Sequence, residues 1–307
     1  NGALQVFSDV GWAVIRTDLH HADQDIAFLF RSSPYGAISH SHANNNDFII
    51  HAGGKVLAMP SGYYAGYGSD HHAHWVWHTK SHNCLTLSDA PQLMRSHHSR
   101  GYIDHIFEDD RLIYFRGVAD ASYLDRATRC RRHVCFFKQH TCFLLVDEYI
   151  ARMDVVSALQ WNIHSRARFE VDEQARSFLI EREGSSLTGH MLYSHNGYFL
   201  LSEGWDPPPS RVKPNDQWYQ QYHLRFTPSG MESNMNLGVL LCPGHANLKP
   251  ATIKRARIDG VEAAFIEEDA IYIRQHEKID IDTMASDALI LLKLAGKYYH
   301  IDDHGVK

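Results

Sequence analysis

Residues 111–149 read RLIYFRGVADASYLDRATRCRRHVCFFKQHTCFLLVDEY. Three apolar runs lie in this stretch: Arg111–Val118, Arg132–Phe137 and Thr141–Tyr149. Each is short for a helix and rich in β-branched and aromatic side chains, the mark of a strand. The last two flank a turn at Lys138–Thr141, which makes Cys135 and Cys142 a candidate facing pair. Runs of the same kind recur outward in both directions. Toward the N-terminus they are Gly11–Thr17, Ile26–Arg31, Asp47–His51, Lys55–Met59 and Leu85–Leu87. Toward the C-terminus they are Val155–Ile163, Ser177–Glu183, Gln217–Phe226, Asn236–Leu241, Ala270–Arg274, Ala288–Leu294 and Lys297–Ile301. Turn signals such as Asp259-Gly260 and Ala295-Gly296 separate them, and no long window keeps a helical period. The pattern predicts an all-β fold of stacked antiparallel sheets, a β-sandwich or supersandwich with few or no helices. Gly204–Pro214 (GWDPPPSRVKP) is too rich in proline for a central strand. We expect a loop there near the binding face, with Trp205, Arg211 and Lys213 suited to an acidic sugar. The expected division is a main β domain over 1–215 and a smaller β domain over 216–307.

With 307 residues the chain can bury a large core. A formal net charge of −6 argues against chain-wide nucleic-acid binding but leaves room for a local basic site. No apolar run approaches the length of a membrane span. The 5 cysteines form no CxxC pair, so they suggest no metal cluster of the zinc-finger kind. No nucleotide-binding or GxSxG pattern is present. The chain opens at Asn1 without a methionine or signal-peptide pattern, and the expectation is a processed product or a piece of a longer protein.

The chemistry concentrates in residues 39–83, where histidines stand at 40, 42, 51, 71, 72, 74, 78 and 82. Phe48, Tyr63, Tyr64, Tyr67, Trp75 and Trp77 are interleaved with them. Buried imidazoles need partners, so such density suggests strands that present rings to a ligand, a metal or both. His40 and His42 share a face if they lie on a strand and can then hold one divalent ion, with His82 as third ligand. Asn44 and Asn46, followed by Asp47, offer donors and acceptors to sugar hydroxyls. The alternative is a polar Asx turn. Tyr64 and Tyr67 can stack on a sugar or act as acid or base. His71, His72 and Trp75 stand within reach of a ligand on this reading, and some of these rings are bystanders. Arg95 and Arg100, and a second cluster at Arg126, Arg129, Arg131 and Arg132, are candidates to neutralise substrate carboxylates or sulfates. Solvated charged faces are the plainer alternative.

The segments HSHANNNDF (40–48), AGGKVLAMPSGYY (52–64) and SHNCLTL (81–87) occur in the order and spacing of a known family. Over about residues 10–150 the chain resembles the C-terminal part of the heparinase II/III-like polysaccharide lyases, in the branch of oligo-alginate lyases, exo-acting heparinases and broad glycosaminoglycan lyases. The resemblance implies β-elimination on a uronic-acid polymer: heparin or heparan sulfate, hyaluronan, chondroitin or alginate. It implies an N-terminal α/α toroid elsewhere in the full-length protein, which supplies much of the catalytic machinery. On this side, His40 would face substrate and Tyr64 or Tyr67 would reach the cleft. His42 and His82 would bind a divalent metal, normally zinc, with manganese or calcium as alternatives. The aspartate that completes the family's metal site falls at Pro60, and that of HxHxD at Asn44, which leaves three alternatives: a site rebuilt with a neighbouring histidine such as His72, a site for another divalent ion, or a lost site. A periplasmic or secreted bacterial setting is implied as well. Two other readings stand beside this one: a non-catalytic β-sandwich that binds acidic carbohydrate, and a cupin-like metal-dependent enzyme.

Overall fold

Runs from the middle of the sequence become the middle of the molecule. A computed structural model describes residues 3–36, 38–63, 66–153, 155–193, 196–210, 218–258, 261–275, 279–281 and 284–307. Its centre is an eight-stranded antiparallel sheet. In spatial order the strands are Phe169–Asp172, Ser177–Arg182, Ser185–Leu192, Asn234–Gly244, Cys142–Ala151, Ala127–Phe137, Leu112–Val118 and Tyr102–Glu108. Ile113, Phe115, Val134, Phe136, Phe143 and Leu145 point to one side, into the main core. Leu112, Tyr114, Cys135, Phe137, Cys142 and Leu144 point to the other, into a second core. Burial on both faces explains why LIYF and CFLLV are continuous apolar runs and not alternating ones.

The main core is closed by two smaller sheets. One is a five-stranded meander of Ala3–Phe7, Trp12–Arg16, Ile26–Arg31, Asp47–Ala52 and Lys55–Ala58. The other orders Gly197–Glu203, Tyr222–Pro228, Leu159–Ser165 and Leu85–Leu87. On the opposite side a six-stranded sheet, starting at Ile253–Ile258 and ending at Gly305–Val306, covers the second core with Ile271, Ile273, Ile290, Leu292 and Tyr299. The result is stacked antiparallel sheets, as the sequence predicts. No sheet closes into a barrel among the described residues, which overturns the cupin-like reading.

The expected boundary at 215/216 lies outside the described residues. The strands that follow it, Tyr222–Pro228 and Asn234–Gly244, sit within the sheets that enclose the main core, and the C-terminal sheet starts only at Ile253. The turn at 138–141 is present. Its register sets Cys135 opposite Leu144 and Cys142 opposite Phe137, so the expected Cys135–Cys142 pair does not face.

Candidate functional site

The histidine-rich segment is not a wall of strands. Residues 39–46 form an irregular loop, which ends where Asn46 takes a left-handed φ of 65° and delivers Asp47 to the start of its strand. Asparagine tolerates that conformation, which is one use for the NNN run. Without a strand, His40 and His42 do not share a face. His40 is exposed and its ring lies 5.7 Å, centroid to centroid, from Tyr67. His42 is half-buried and lies 5.3 Å from His82.

Next to His40 and its Tyr67 ring contact is an open cleft of about 440 Å³, lined by Ile38, Ser39, Tyr67, Gly68, Trp77 and Arg95. Tyr67 is 61% exposed. Its ring meets His72 at 4.9 Å and the edge of Trp77 at 5.7 Å. The Arg95 guanidinium lies over Trp77, 4.3 Å from the ring centre, and remains exposed. The cleft therefore offers an aromatic floor, a cation held in place by that floor, a phenol and an imidazole. His72 is buried behind Tyr67, and its Nδ1 accepts from the Gly68 amide at 3.1 Å. Burial pushes its pKa below the usual imidazole value, with the Arg95 charge adding to the effect.

A second group of polar side chains is built on Asp47. The Asp47 carboxylate accepts from the amides of Phe48 and Asn83, both at 2.9 Å, through Oδ1. Its Oδ2 accepts from Asn44 Nδ2 at 3.2 Å and faces His82 Nδ1 at 2.9 Å. Asn44 Oδ1 accepts in turn from Arg31 at 2.5 Å. His82 Nε2 faces the Val76 carbonyl at 3.2 Å. Burial alone would raise the Asp47 carboxyl. The His82 and Asn44 side chains and the Asn83 amide hold it below the usual range instead. Burial lowers His42 to about 3, with His82 and Arg31 contributing, so that ring is neutral near pH 7.

This set does not fit a bound divalent ion. His82 Nδ1 is taken up by the Asp47 carboxylate, and a metal at Nε2 would have to displace the Val76 carbonyl that stands 3.2 Å from it. Each Asp47 oxygen already takes two hydrogen bonds. His72, the candidate substitute ligand, packs on Tyr67 and Trp77. No group of three or more His, Cys, Asp or Glu side chains is placed to hold a metal among the described residues.

Other expected site residues are structural. Trp75 is 5% exposed and packs edge-on against His164 and His223, with Nε1 donating to Ser61. His71 is spanned by the Pro207 carbonyl at Nδ1 and the Tyr63 amide at Nε2. Asn46 is buried at the root of the loop. Arg100 donates to the His97 carbonyl and lines no part of the cleft. Arg129, Arg131 and Arg132 pair with Glu148, Asp120 and Asp147 within the sheet stack, so they are not a substrate face. Tyr64, Arg211 and Lys213 lie outside the described residues. The described part of the proline-rich segment does run beside the histidine-rich one, because Asp206 accepts from Lys80 and Pro207 from His71. Sequence reasoning missed Trp77 as the cleft floor; it did name Asp47 among the polar partners, though not as the acceptor on which Asn44, His82 and the Asn83 amide converge. The only signal for either was local: Trp77 is the second tryptophan of the HWVWH run, and Asp47 follows directly on three asparagines.

Residues 1–260 match the family model described as heparinase II/III-like, C-terminal. Among solved structures, the heparan sulfate lyase HepC from Pedobacter heparinus is 16% identical at a TM-score of 0.68, over 97% of this chain and 42% of that one. A heparinase III is 17% identical at a TM-score of 0.69, over 96% of this chain and 41% of that one. At these identities the likeness is one of fold. The chain spans about two fifths of the length of these lyases. A search of curated proteins found no match.

Proposed function

The chain belongs to the heparinase II/III-like family through its C-terminal domain, and on that premise we propose that it is the β-sheet portion of a polysaccharide lyase that cleaves a uronic-acid-containing anionic polysaccharide by β-elimination. The observation that carries the reading is the cleft itself: exposed Tyr67 and an Arg95 guanidinium stacked on Trp77 line one open space, and exposed His40 lies 5.7 Å from the Tyr67 ring. β-Elimination removes the proton at C5 of a uronate and expels the oxygen at C4, and it needs the carboxylate neutralised while charge builds at C5. Arg95 is placed to pair with the carboxylate. On this reading Tyr67 and His40 hold or pass a proton at the sugar and the exposed Tyr67 ring stacks on its face, while buried Trp77 keeps Arg95 in position. The remaining groups come from the N-terminal domain, and no step passes through a metal at His42 and His82.

Heparan sulfate is the first polymer to try, since one structural neighbour, HepC, carries it in its name. Chondroitin, hyaluronan and alginate follow. The family resemblance suggests a periplasmic or secreted setting; separately, no helix among the described residues is long and apolar enough to cross a membrane. The full-length protein, given each polymer, should produce the ultraviolet-absorbing unsaturated uronate. His40→Ala should lower that rate by about 100-fold, the low end for loss of a proton-handling group. An unchanged rate removes His40 from the chemistry. Sugar binding with no product on any polymer would favour the non-catalytic carbohydrate-binding reading.

A further inference from the structure

Cys142 and Cys242 lie on adjacent strands of the eight-stranded sheet, one step beyond the registered pair Phe143–Leu241. Their sulfurs are 2.8 Å apart, closer than two unbonded sulfur atoms comfortably pack. Directly opposed residues on antiparallel strands have the Cα separation that a disulfide spans. Cys84, Cys130 and Cys135 have no sulfur contact of this kind among the described residues. We propose that Cys142 and Cys242 are a cross-strand disulfide site, oxidised by thiol–disulfide exchange while the chain folds. This inference is independent of the lyase reading.

The timing follows from burial. Both side chains belong to the second core, sealed between the central sheet and the six-stranded C-terminal sheet. The hydrogen bond from Cys142 and burial together push the Cys242 thiol well above its ordinary value. In the folded protein the pair is therefore neither reachable nor reactive. Exchange must come before the strands that begin at Ile253 close over it. One thiolate attacks a disulfide such as oxidised glutathione and releases one glutathione thiol. The second cysteine attacks the mixed disulfide and releases the other. Two protein thiols become one S–S bond, and the reagent disulfide becomes two thiols. The bridge closes a loop of 100 residues and ties the chain before the strand Leu159–Ser165 to the chain after it.

The test is a thiol count in denaturant with peptide mapping. Protein unfolded under reductant and refolded with reduced and oxidised glutathione should expose three alkylatable cysteines, Cys84, Cys130 and Cys135, and yield one linked peptide pair containing Cys142 and Cys242. Its melting midpoint should fall by several degrees in reductant, and the Cys142→Ala–Cys242→Ala variant should not show that fall. If refolding fails, protein exported to an oxidising compartment is mapped in the same way. Five alkylatable thiols, or a link between any other two cysteines, overturns the proposal.

Discussion

Arg132 sits directly opposite Asp147 in the central hairpin and holds it by two hydrogen bonds, 2.7 Å from Nε to Oδ1 and 2.8 Å from Nη2 to Oδ2. Neither side chain is reached by solvent to any useful degree. The remaining nitrogen of Arg132, Nη1, donates to the carbonyls of Asn46 and Asn83, each at 2.7 Å. One buried guanidinium thus fastens the loop that carries His40 and His42 to the loop that carries His82. Gly117 makes room for the contact, since a Cβ there would stand 2.4 Å from Asn46 Oδ1 and 2.3 Å from Phe30 Cζ. Removing one partner of a buried pair leaves the other uncompensated, at a cost of about 3–5 kcal/mol. Arg132→Ala should lose that much in chemical denaturation and lose substrate turnover with it. A loss below about 1 kcal/mol would mean that the pair is not what anchors the loops.

A hydrogen-bonded Asp47–His82 pair, closed without a metal, has a direct consequence. A chelator should leave the melting temperature unchanged, and metal analysis of the purified protein should find well under one zinc per chain. Asp47→Asn should destabilise the fold by about 1–3 kcal/mol, because a buried acceptor set is disturbed. Stoichiometric zinc together with a chelator-induced drop in melting temperature would restore the metal site expected from the resemblance.

Acid should weaken the fold earlier than carboxylate titration would. Burial holds His164 at about 3, and His78 and His190 at about 4, and pushes His223 well below its ordinary value. These groups are depressed in the folded state, so below about pH 6.5 the unfolded chain takes up protons that the native protein refuses. Their contribution is fully present above that pH and is lost as pH falls toward the folded values. Each contributes up to about 1.4 kcal/mol per pH unit across its window. Denaturant midpoints should decline from about pH 6.5 downward. A flat profile to about pH 4.5 would show that these rings are charged in the native state.

Trp75 and Tyr67 stand near each other in sequence but should fail in different ways. Trp75→Ala empties a packed site between His164 and His223 and should cost about 3–5 kcal/mol. Tyr67→Ala removes an exposed ring and should cost within about 0.5 kcal/mol while weakening sugar binding. The reverse pattern, seen by denaturation and titration, would move the binding face away from the cleft.

The layers were legible because burial on two faces writes itself as continuous apolar runs, and Ile26–Arg31 and Leu85–Leu87 were placed to the residue. Edge strands were harder. Tyr102–Glu108, Phe169–Asp172 and Ile253–Ile258 are half-exposed and carry charges, so they look like loops. The His-Ser-His strand failed for a local reason, the left-handed turn at Asn46 that the asparagine run permits. The role of Arg132 was hidden in a basic cluster, although a hairpin turning at 138–141 already sets it opposite Asp147. Convergence of His40, Tyr67 and Arg95 is a product of three separate loops, and no local pattern encodes it.

The central claim is that this cleft recognises an acidic sugar, and calorimetric titration of the protein with a size-defined heparan sulfate oligosaccharide tests it most directly. Arg95→Ala should weaken binding by about tenfold or more at low salt, the value of one charge-assisted contact, and leave the melting temperature unchanged. Equal affinity for the variant and the unaltered protein would contradict the account.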